Sequence, residues 1–229
     1  MAFLVMSVGA LVSSCSKDDD NGKEPDAPKV AMAVSSMYGG YVGEEQSYNF
    51  KDITYDNQGR PVSWTRGSGY KTTVSYSDSK IVVDNTELSL VNGIVGSDSH
   101  TSYTYNDAKE LIKTTSGKWK STYSWQNGNP VKSDDGEETL TFEYYDQANV
   151  LGNYQGNAFS ISFLPGDSPI ESAGFYGAVP KNMLKAIYSD GQLQFTFTYS
   201  DYNENGYPCT MKIVRDNDVQ TYKFTWVKI

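Results

Sequence analysis

Hydrophobic and polar residues alternate with a period of two along most of the chain after residue 47. The clearest faces are Tyr70, Thr72, Val74 and Tyr76; Trp119, Ser121, Tyr123 and Trp125; Leu193, Phe195, Phe197 and Tyr199; and Tyr222, Phe224 and Trp226. Such alternation predicts strands with one buried face. We count on the order of 14 strands, which predicts an all-β protein made of one large, curved, antiparallel up-and-down sheet. The pattern leaves open whether this sheet closes into a barrel.

The ends of these strands repeat one motif: an aromatic residue, a short polar turn and an aliphatic return. The clearest copy spans residues 55–62 (YDNQGRPV), and weaker copies begin at Tyr76, Tyr105, Trp125, Tyr145, Tyr188 and Tyr202. Asp and Asn side chains bond to nearby backbone and Gly accepts a positive φ, so the motif can reverse the chain. Several copies lie roughly 20 residues apart, the length of a hairpin with its return turn. The repeat predicts a β-meander and carries no chemistry of its own.

Residues 152–184 interrupt the alternation. Ser168 as the N-cap, Pro169 at the first helical position and Glu171 at the third are typical of a helix start. Later glycines and a proline limit its length. We therefore predict one short helical insertion near 168–177, which could close one end of the curved sheet.

Residues 1–12 are apolar but too few to span a bilayer, which takes about 20 apolar residues. They match the apolar region of a secretory signal. Residues 11–15 (LVSSC) then resemble a bacterial lipoprotein cleavage box. This resemblance implies a signal peptide at 1–14 and a diacylglycerol group on Cys15. Because no Lys or Arg precedes the apolar run, we expect the true translation start to lie upstream of Met1.

Residues 15–35 are expected to form a flexible acidic tether, with the all-β domain at 36–229. The tether begins, after its cysteine, with Ser16, Lys17, Asp18, Asp19 and Asp20. This run resembles the surface-export signal of Bacteroidetes lipoproteins. The resemblance implies a lipid-anchored protein of the outer membrane, exposed at the cell surface. A solvated acidic tether explains the same charges and is compatible with export.

The cleavage box, the export run, the turn repeat and the segment 174–185 (GFYGAVPKNMLK) together resemble one group of Bacteroidetes surface lipoproteins. That group is known only as a domain of unknown function with a porin-like fold. The resemblance covers roughly residues 30–229 and implies a many-stranded, curved or barrel-like antiparallel sheet. The turns are also similar to the YD repeats of large secreted shell proteins. The family brings no catalytic residues to this chain.

Composition narrows the possible functions. The net charge is −9, which argues against nucleic-acid binding because attraction to phosphate needs a basic surface. Mean hydropathy is −0.54, and the strand faces predicted to be exposed carry Thr, Ser and Lys rather than the apolar band of a membrane barrel. The two cysteines, Cys15 and Cys209, lie in different contexts, so no disulfide is expected.

Catalytic and metal-binding patterns are weak. His100 is the single histidine of the sequence, and no nucleophile elbow accompanies it. Residues 201–206 (DYNENG) match the first half of a calcium loop, but Lys212 stands where a bidentate Glu is required. The acids at 134–138 cluster around a predicted turn. We expect no enzyme activity, no cofactor and no metal.

The tryptophans are the remaining candidates for a site. Trp64, Trp119, Trp125 and Trp226 could stack on sugar rings or line an apolar cavity if exposed, although core packing is the usual role of large aromatics. We therefore predict a lipid-anchored, non-catalytic binding module for a glycan, a lipid or a partner protein. One alternative is a structural envelope component that assembles with other proteins. A glycan hydrolase ranks last.

Overall fold

The computed structural model of the chain describes residues 12–13, 31–42, 47–155, 169–172 and 174–229. These ranges contain 17 strands, more than the sequence count, together with a 3-10 turn at Gly152–Gln155 and helix α1 at Pro169–Ser172. The strands are β1 (Val12–Ser13), β2 (Met32–Tyr41), β3 (Ser47–Tyr55), β4 (Pro61–Arg66), β5 (Lys71–Tyr76), β6 (Lys80–Val83), β7 (Thr86–Val91), β8 (Ile94–Ser97), β9 (Thr101–Tyr105), β10 (Leu111–Ser116), β11 (Trp119–Gln126), β12 (Asn129–Asp134), β13 (Thr139–Ala148), β14 (Asn182–Ser189), β15 (Gln192–Tyr202), β16 (Pro208–Arg215) and β17 (Asp218–Lys228).

Strands β2 to β17 form a closed, antiparallel, up-and-down barrel of 16 strands. Each strand pairs with the next, and β17 returns to pair with β2 from Gln220 opposite Tyr41 to Lys228 opposite Met32. Closure removes the free sheet edges that would otherwise attract other strands. The all-β, up-and-down prediction is confirmed, and the open question of closure is answered by the β17–β2 ladder.

Two details concern the predicted segment boundaries. Strand β2 begins at Met32, so the predicted start of the domain at 36 falls inside a strand. It does so because Val34 and Met37 already belong to the buried core. Strand β1 lies within the predicted signal peptide and pairs with β17 through Val12–Val227 and Ser13–Trp226. Because β17 also pairs with β2, the sixteen-strand closure does not depend on β1.

Strand alternation fills the barrel with large apolar side chains. The fully buried ones include Phe50, Trp64, Ile81, Phe197 and Phe224. Outward positions carry mainly Thr, Ser and Lys, for example Lys71, Thr73 and Ser75 on β5, and Lys120, Thr122 and Ser124 on β11. The faces predicted from the sequence therefore point into the barrel, and the polar faces point outward, with one correction. A register shift in the β14–β15 ladder pairs Leu193 with Tyr188, which also pairs with the outward Thr141, so Leu193 points outward instead of sharing the face of Phe195.

At one end of the barrel, aromatic side chains staple neighbouring strands together. In seven strand pairs an aromatic donor near the end of one strand bonds a backbone carbonyl of the preceding strand. The bonds are Tyr55 Oη to Val34 O, Tyr76 Oη to Pro61 O, Tyr105 Oη to Val95 O, Trp125 Nε1 to Leu111 O, Tyr144 Oη to Pro130 O, Tyr199 Oη to Leu184 O and Trp226 Nε1 to Pro208 O, at 2.6–2.9 Å. Each bond satisfies a carbonyl at the end of a ladder.

These bonds explain why the turn motif recurs at every second strand. Four motif aromatics, at positions 55, 76, 105 and 125, are donors. In two weaker copies the donor is a neighbour, Tyr144 instead of Tyr145 and Tyr199 instead of Tyr202. The copy at Tyr188 precedes a turn at the opposite end of the barrel, so it belongs to a different set of turns.

Three turns at the stapled end share one geometry. Asp56, Asn106 and Asn203 each accept, through Oδ1, the backbone N–H groups two and four residues later. The fourth residue of each turn is left-handed: Gly59 at φ 72°, Lys109 at φ 60° and Gly206 at φ 82°. The DYNENG segment is therefore a hairpin turn whose Asn203 side chain already bonds backbone.

The segment between β13 and β14, which we name the plug, closes this stapled end. Its described residues are 149–155, 169–172 and 174–181. Tyr154 packs on Phe50, Phe175 on Tyr76 and Tyr176 on Tyr103, with ring centroids 5.2–5.3 Å apart. Leu151 and Ile170 are buried in the core. The predicted helix is confirmed as the short α1, while its N-cap Ser168 lies outside the described residues.

The plug also supplies backbone hydrogen bonds at a gap in the barrel wall. Strands β8 and β9 share one residue pair, Ser97 with Ser102. Where they separate, the plug donates and accepts backbone hydrogen bonds on both sides, from Val95 N–H to Phe175 O and from Ala178 N–H to Lys109 O. Gly177 sits between them at φ 92°, and a Cβ there would lie 2.5 Å from Lys109 O and 2.7 Å from the Tyr105 ring.

Cys209 corrects one prediction. It is buried on β16, as expected for a small apolar side chain, but it is disulfide-bonded. The expectation that the chain forms no disulfide is therefore wrong. The other cysteine, Cys15, lies outside the described residues.

We predict that Gly177→Ala destabilises the protein by roughly 2–5 kcal/mol, because a left-handed backbone and a steric clash add together. Gly174→Ala is the matched control: its φ is 78°, but the nearest atom to an added Cβ is 3.9 Å away. It should cost only about 1–2 kcal/mol. Urea unfolding of both variants measures the difference, and equal losses would contradict the close approach at Gly177.

We also predict that the free energy of unfolding falls as pH rises above about 10, the ordinary tyrosine value. Burial raises the pKa of Tyr199 well above that value, and burial likewise raises the pKa of Tyr55 and Tyr105. Because the folded state holds these protons more tightly, their stabilisation is complete below pH 10 and is lost at higher pH. Urea titrations between pH 8 and 11.5 test this, with a shallower fall expected for Tyr199→Phe. An unchanged slope in that variant would contradict it.

Candidate functional site

The end opposite the plug, which we call the mouth, exposes side chains that point into the barrel. Tyr41, Tyr70 and Trp119 are 42%, 56% and 55% exposed. The next inward residues on the same strands, Gly39, Thr72 and Ser121, are less exposed. Exposure therefore falls from the mouth inward, in contrast to the closed plug end.

Strand geometry places these three residues around the mouth. Tyr41 is the last residue of β2, Tyr70 immediately precedes β5 and Trp119 opens β11. Each occupies the outermost inward position of its strand, so it has no full layer of side chains above it. Their strands are not neighbours in the sheet, so the three rings are separate contact points around the mouth.

Basic side chains lie over three aromatic rings at the mouth. Arg66 Cζ is 6.0 Å from the Tyr70 ring centre, Lys118 Nζ is 5.0 Å from that of Trp119, and Arg215 Cζ is 5.3 Å from that of Phe195. These distances fit cation–π attraction, which holds each ring and its basic partner together.

Arg66 has further contacts. Its Nε donates a 2.9 Å hydrogen bond to Thr72 Oγ1, and its guanidinium lies 4.0 Å from Asp84 Oδ2. Asp84 Oδ1 also accepts the backbone N–H of Thr73. The Arg66 head group is thus held beside the Tyr70 ring by neighbours on β5 and in the β6–β7 turn.

Carboxylates in the mouth turns are held in the charged form. Burial raises the pKa of Asp98, but hydrogen bonds from His100 N–H, the Tyr103 hydroxyl and Thr101 N–H outweigh it and lower the pKa overall. Hydrogen bonds from Glu138 and Glu137 N–H lower the pKa of Asp135. These carboxylates act as turn-forming acceptors, and their lowered pKa values are opposite to what a general acid needs.

The four candidate tryptophans differ in how exposed their side chains are. Trp64 and Trp226 are 1% exposed and belong to the core. Trp125 is half-buried and donates to Leu111 O. The exposure that stacking on a ligand requires is met by Trp119, which leaves it as the candidate of the four. The indole N–H of Trp64 is buried without a hydrogen-bond partner.

The other candidates for chemistry stay apart. His100 lies exposed in the β8–β9 turn, where its backbone N–H bonds Asp98. No group of three or more metal-binding side chains occurs among the described residues. Lys212 lies on β16, outside the turn formed by residues 203–207.

Two cavities lie at the plug end. One of about 460 Å³ borders the β8–β9 gap and is lined by Val91, Ile94, Tyr103, Tyr105 and Lys109 among others. One of about 150 Å³ lies between the plug and β2, beside Tyr55, Leu151 and Trp226. Neither contains one of the exposed mouth residues.

Sequence reasoning identified Trp119 but missed most of the mouth. Tyr41, Arg66, Lys118 and Arg215 were not singled out, whereas Tyr70 was assigned only to a strand face. A usable signal exists in retrospect: each of the three exposed rings lies on the core face of its strand, beside a turn at the end of the barrel opposite the Tyr-Asp turns.

Helices long and apolar enough to cross a membrane are absent from the described residues. No protein-family model matches the sequence, and no curated protein matches it. Among solved structures, the chain is similar to a porin-like protein from Bacteroides vulgatus, with 11% identity over 83% of this chain and 97% of that one, at a TM-score of 0.44.

A second solved structure, TcdB2-TccC3 without its hypervariable C-terminal region, matches at 14% identity and a TM-score of 0.19. That match covers 80% of this chain but only 8% of the other chain. The protein from Bacteroides vulgatus is described as porin-like, the same word that describes the fold of the group that the sequence resembles. Membership of a surface-lipoprotein family stays a prediction.

Proposed function

We propose that this protein is a non-catalytic binding module that receives its ligand at the mouth of the barrel. The observation that carries the proposal is the set of exposed inward rings of Tyr41, Tyr70 and Trp119. Aromatic rings that are open to solvent and lie beside charged groups offer both apolar and polar contacts to a ligand. The ligand classes that fit are a glycan, a lipid or a segment of a partner protein.

We further propose that the chain is anchored through a lipid on Cys15 and displayed on the outer face of the outer membrane. The cleavage box and the run Ser16–Asp20 support this. The direction of β2 would set the orientation of an anchored barrel, because this strand starts at Met32 at the plug end and reaches the mouth at Tyr41. A tether entering at Met32 directs the plug end toward the membrane and the mouth away from it.

A lipid on Cys15 conflicts with the disulfide at Cys209. The chain contains two cysteines, and a sulfur in a thioether cannot also form a disulfide. Within one chain, therefore, lipidated protein would carry Cys209 as a free thiol, and disulfide-bonded protein would carry no lipid. The two states differ in mass and in thiol reactivity, which makes the anchor directly testable.

For the anchor, we expect wild-type protein from a bacterial host with an outer membrane to begin at Cys15 and to carry a diacylglycerol mass. Cys15→Ser should release the protein from the membrane fraction, whereas Cys209→Ser, the matched control, should keep the lipid. Intact mass spectrometry without reductant measures this. An unlipidated protein with no reactive thiol would show the disulfide state instead and contradict the anchor.

For the mouth, we expect native mass spectrometry of the protein from its own organism to retain a bound ligand, and Trp119→Ala to lose most of it. The exposed side chain should be replaceable with a stability change within about 0.5 kcal/mol. The matched control is Thr122→Ala, an outward change on the same strand. Equal ligand retention by both variants would overturn the mouth as the site. Recovery of a stable multiprotein assembly independent of Trp119 would favour a structural envelope role.

A further inference from the structure

We infer that the ligand of the mouth is a neutral oligosaccharide, bound by stacking of its sugar rings on Trp119 and Tyr70. This inference rests on the proposed function and narrows its ligand class from three to one. It depends on the geometry of the exposed rings, the mixture of charges beside them and their separation around the mouth.

Each exposed ring is held by a basic neighbour and still offers area to a ligand. Lys118 stands over Trp119 and Arg66 over Tyr70, while the two rings remain 55% and 56% exposed. A cation resting on a ring restrains it without enclosing it, so the exposed area of the ring stays available. Restraint before binding lowers the ordering cost of association. A flat apolar face, already oriented, suits the C–H face of a pyranose ring.

The charges beside these rings are mixed. The described mouth turns and the strand ends that flank them carry the bases Arg66, Lys71, Lys118 and Arg215 and the acids Asp84, Asp98, Asp134, Asp135, Glu137, Glu138, Asp190, Asp216 and Asp218. Acids outnumber bases, so an anionic polymer or an anionic lipid surface would meet net repulsion. Sugar hydroxyls both donate and accept hydrogen bonds, so they can use guanidinium, ammonium and carboxylate groups together. This mixture favours a neutral polyhydroxyl ligand.

The rings of Tyr70 and Trp119 are too far apart along the barrel wall for a single sugar to contact both. Tyr70 precedes β5 and Trp119 opens β11, six strand spacings away in the ladder order. At about 4.8 Å per spacing, this is roughly 29 Å along the wall. Tyr41 on β2 lies between them on the other arc of the barrel. A chain of several sugars can therefore touch contact points that a single sugar cannot.

The test uses the full-length chain and a panel of neutral oligosaccharides of two, four and six units. Matched uronic-acid oligosaccharides and anionic phospholipid vesicles complete the panel. Calorimetry gives the affinity, and protection of tryptophan fluorescence from acrylamide reports mainly contact at Trp119. Trp119 is the most exposed of the four tryptophans, since Trp64 and Trp226 are buried and Trp125 is half-buried. We expect neutral chains to bind, affinity to increase with length, and little dependence on salt.

Variants locate the contact. Trp119→Ala and Tyr70→Ala should each weaken binding at least about tenfold, and Trp119→Phe should retain part of it. Thr122→Ala, facing outward on β11, should bind as wild type. Binding of neutral chains that these variants do not weaken would place the site elsewhere and overturn the inference.

Other outcomes separate this inference from the proposed function. If only acidic chains or vesicles bind, and Trp119→Ala weakens them, the mouth remains a binding site but the neutral-sugar assignment is wrong. If no member of the panel binds, the assignment is also wrong. If, in addition, the ligand retained from the native organism is unaffected by Trp119→Ala, the proposed function fails with it.

Discussion

Closing sixteen strands into one ring creates an interior that the protein must fill. Diameter increases with strand number, so a wide barrel either encloses a channel or is packed with side chains and inserted chain. Here the fill is aromatic: Phe50, Trp64, Phe197 and Phe224 are buried at mid-height, and the plug covers one end. Their apolar contacts stabilise a closure whose outer surface is mainly Thr, Ser and Lys. The arrangement of the two ends depends on how this interior volume is filled.

The two ends of the barrel are covered to different extents. At the plug end, tyrosine and tryptophan donors bond strand-terminal carbonyls, and the plug inserts backbone into the β8–β9 gap. Buried polar groups there are paired, as they must be away from water. At the mouth, the corresponding aromatic residues have no such layer above them and stay in contact with solvent. A rigid closed end that supports a less covered open end is a common arrangement for binding sites.

This asymmetry also determines what the scaffold can do. The mouth offers aromatic faces, fixed cations and charged carboxylates, but its shifted carboxyl groups have lowered pKa values rather than the raised value of a proton donor. Binding by surface complementarity needs only the aromatic faces and the charged groups, and it needs no proton donor. The entry of β2 at the plug end separates the start of the barrel from the mouth by the full length of the barrel wall. The attachment and the recognition that we propose would thus occur at opposite ends.

The sequence by itself determined the strands, their buried faces, the repeated turn and the short helix, because these depend on neighbours within about a dozen residues. Period-two alternation and Asx turn chemistry are local. Even the non-glycine turn residue Lys109 fits a turn geometry whose two matching copies have Gly59 and Gly206 at that position. The strand count was low because short strands such as β8 carry too few residues to alternate clearly.

Closure and the site were decided only by tertiary structure. The β17–β2 ladder joins residues almost 200 positions apart in the chain, and no local pattern encodes that register. Trp119 and Trp226 look alike in sequence, since both lie on core faces of aromatic strands. One is exposed and the other buried because Trp119 lies at the mouth, whereas Trp226 lies under the plug end. Height along a closed barrel is a property of the assembled sheet, and it decides which aromatic residues a ligand can reach.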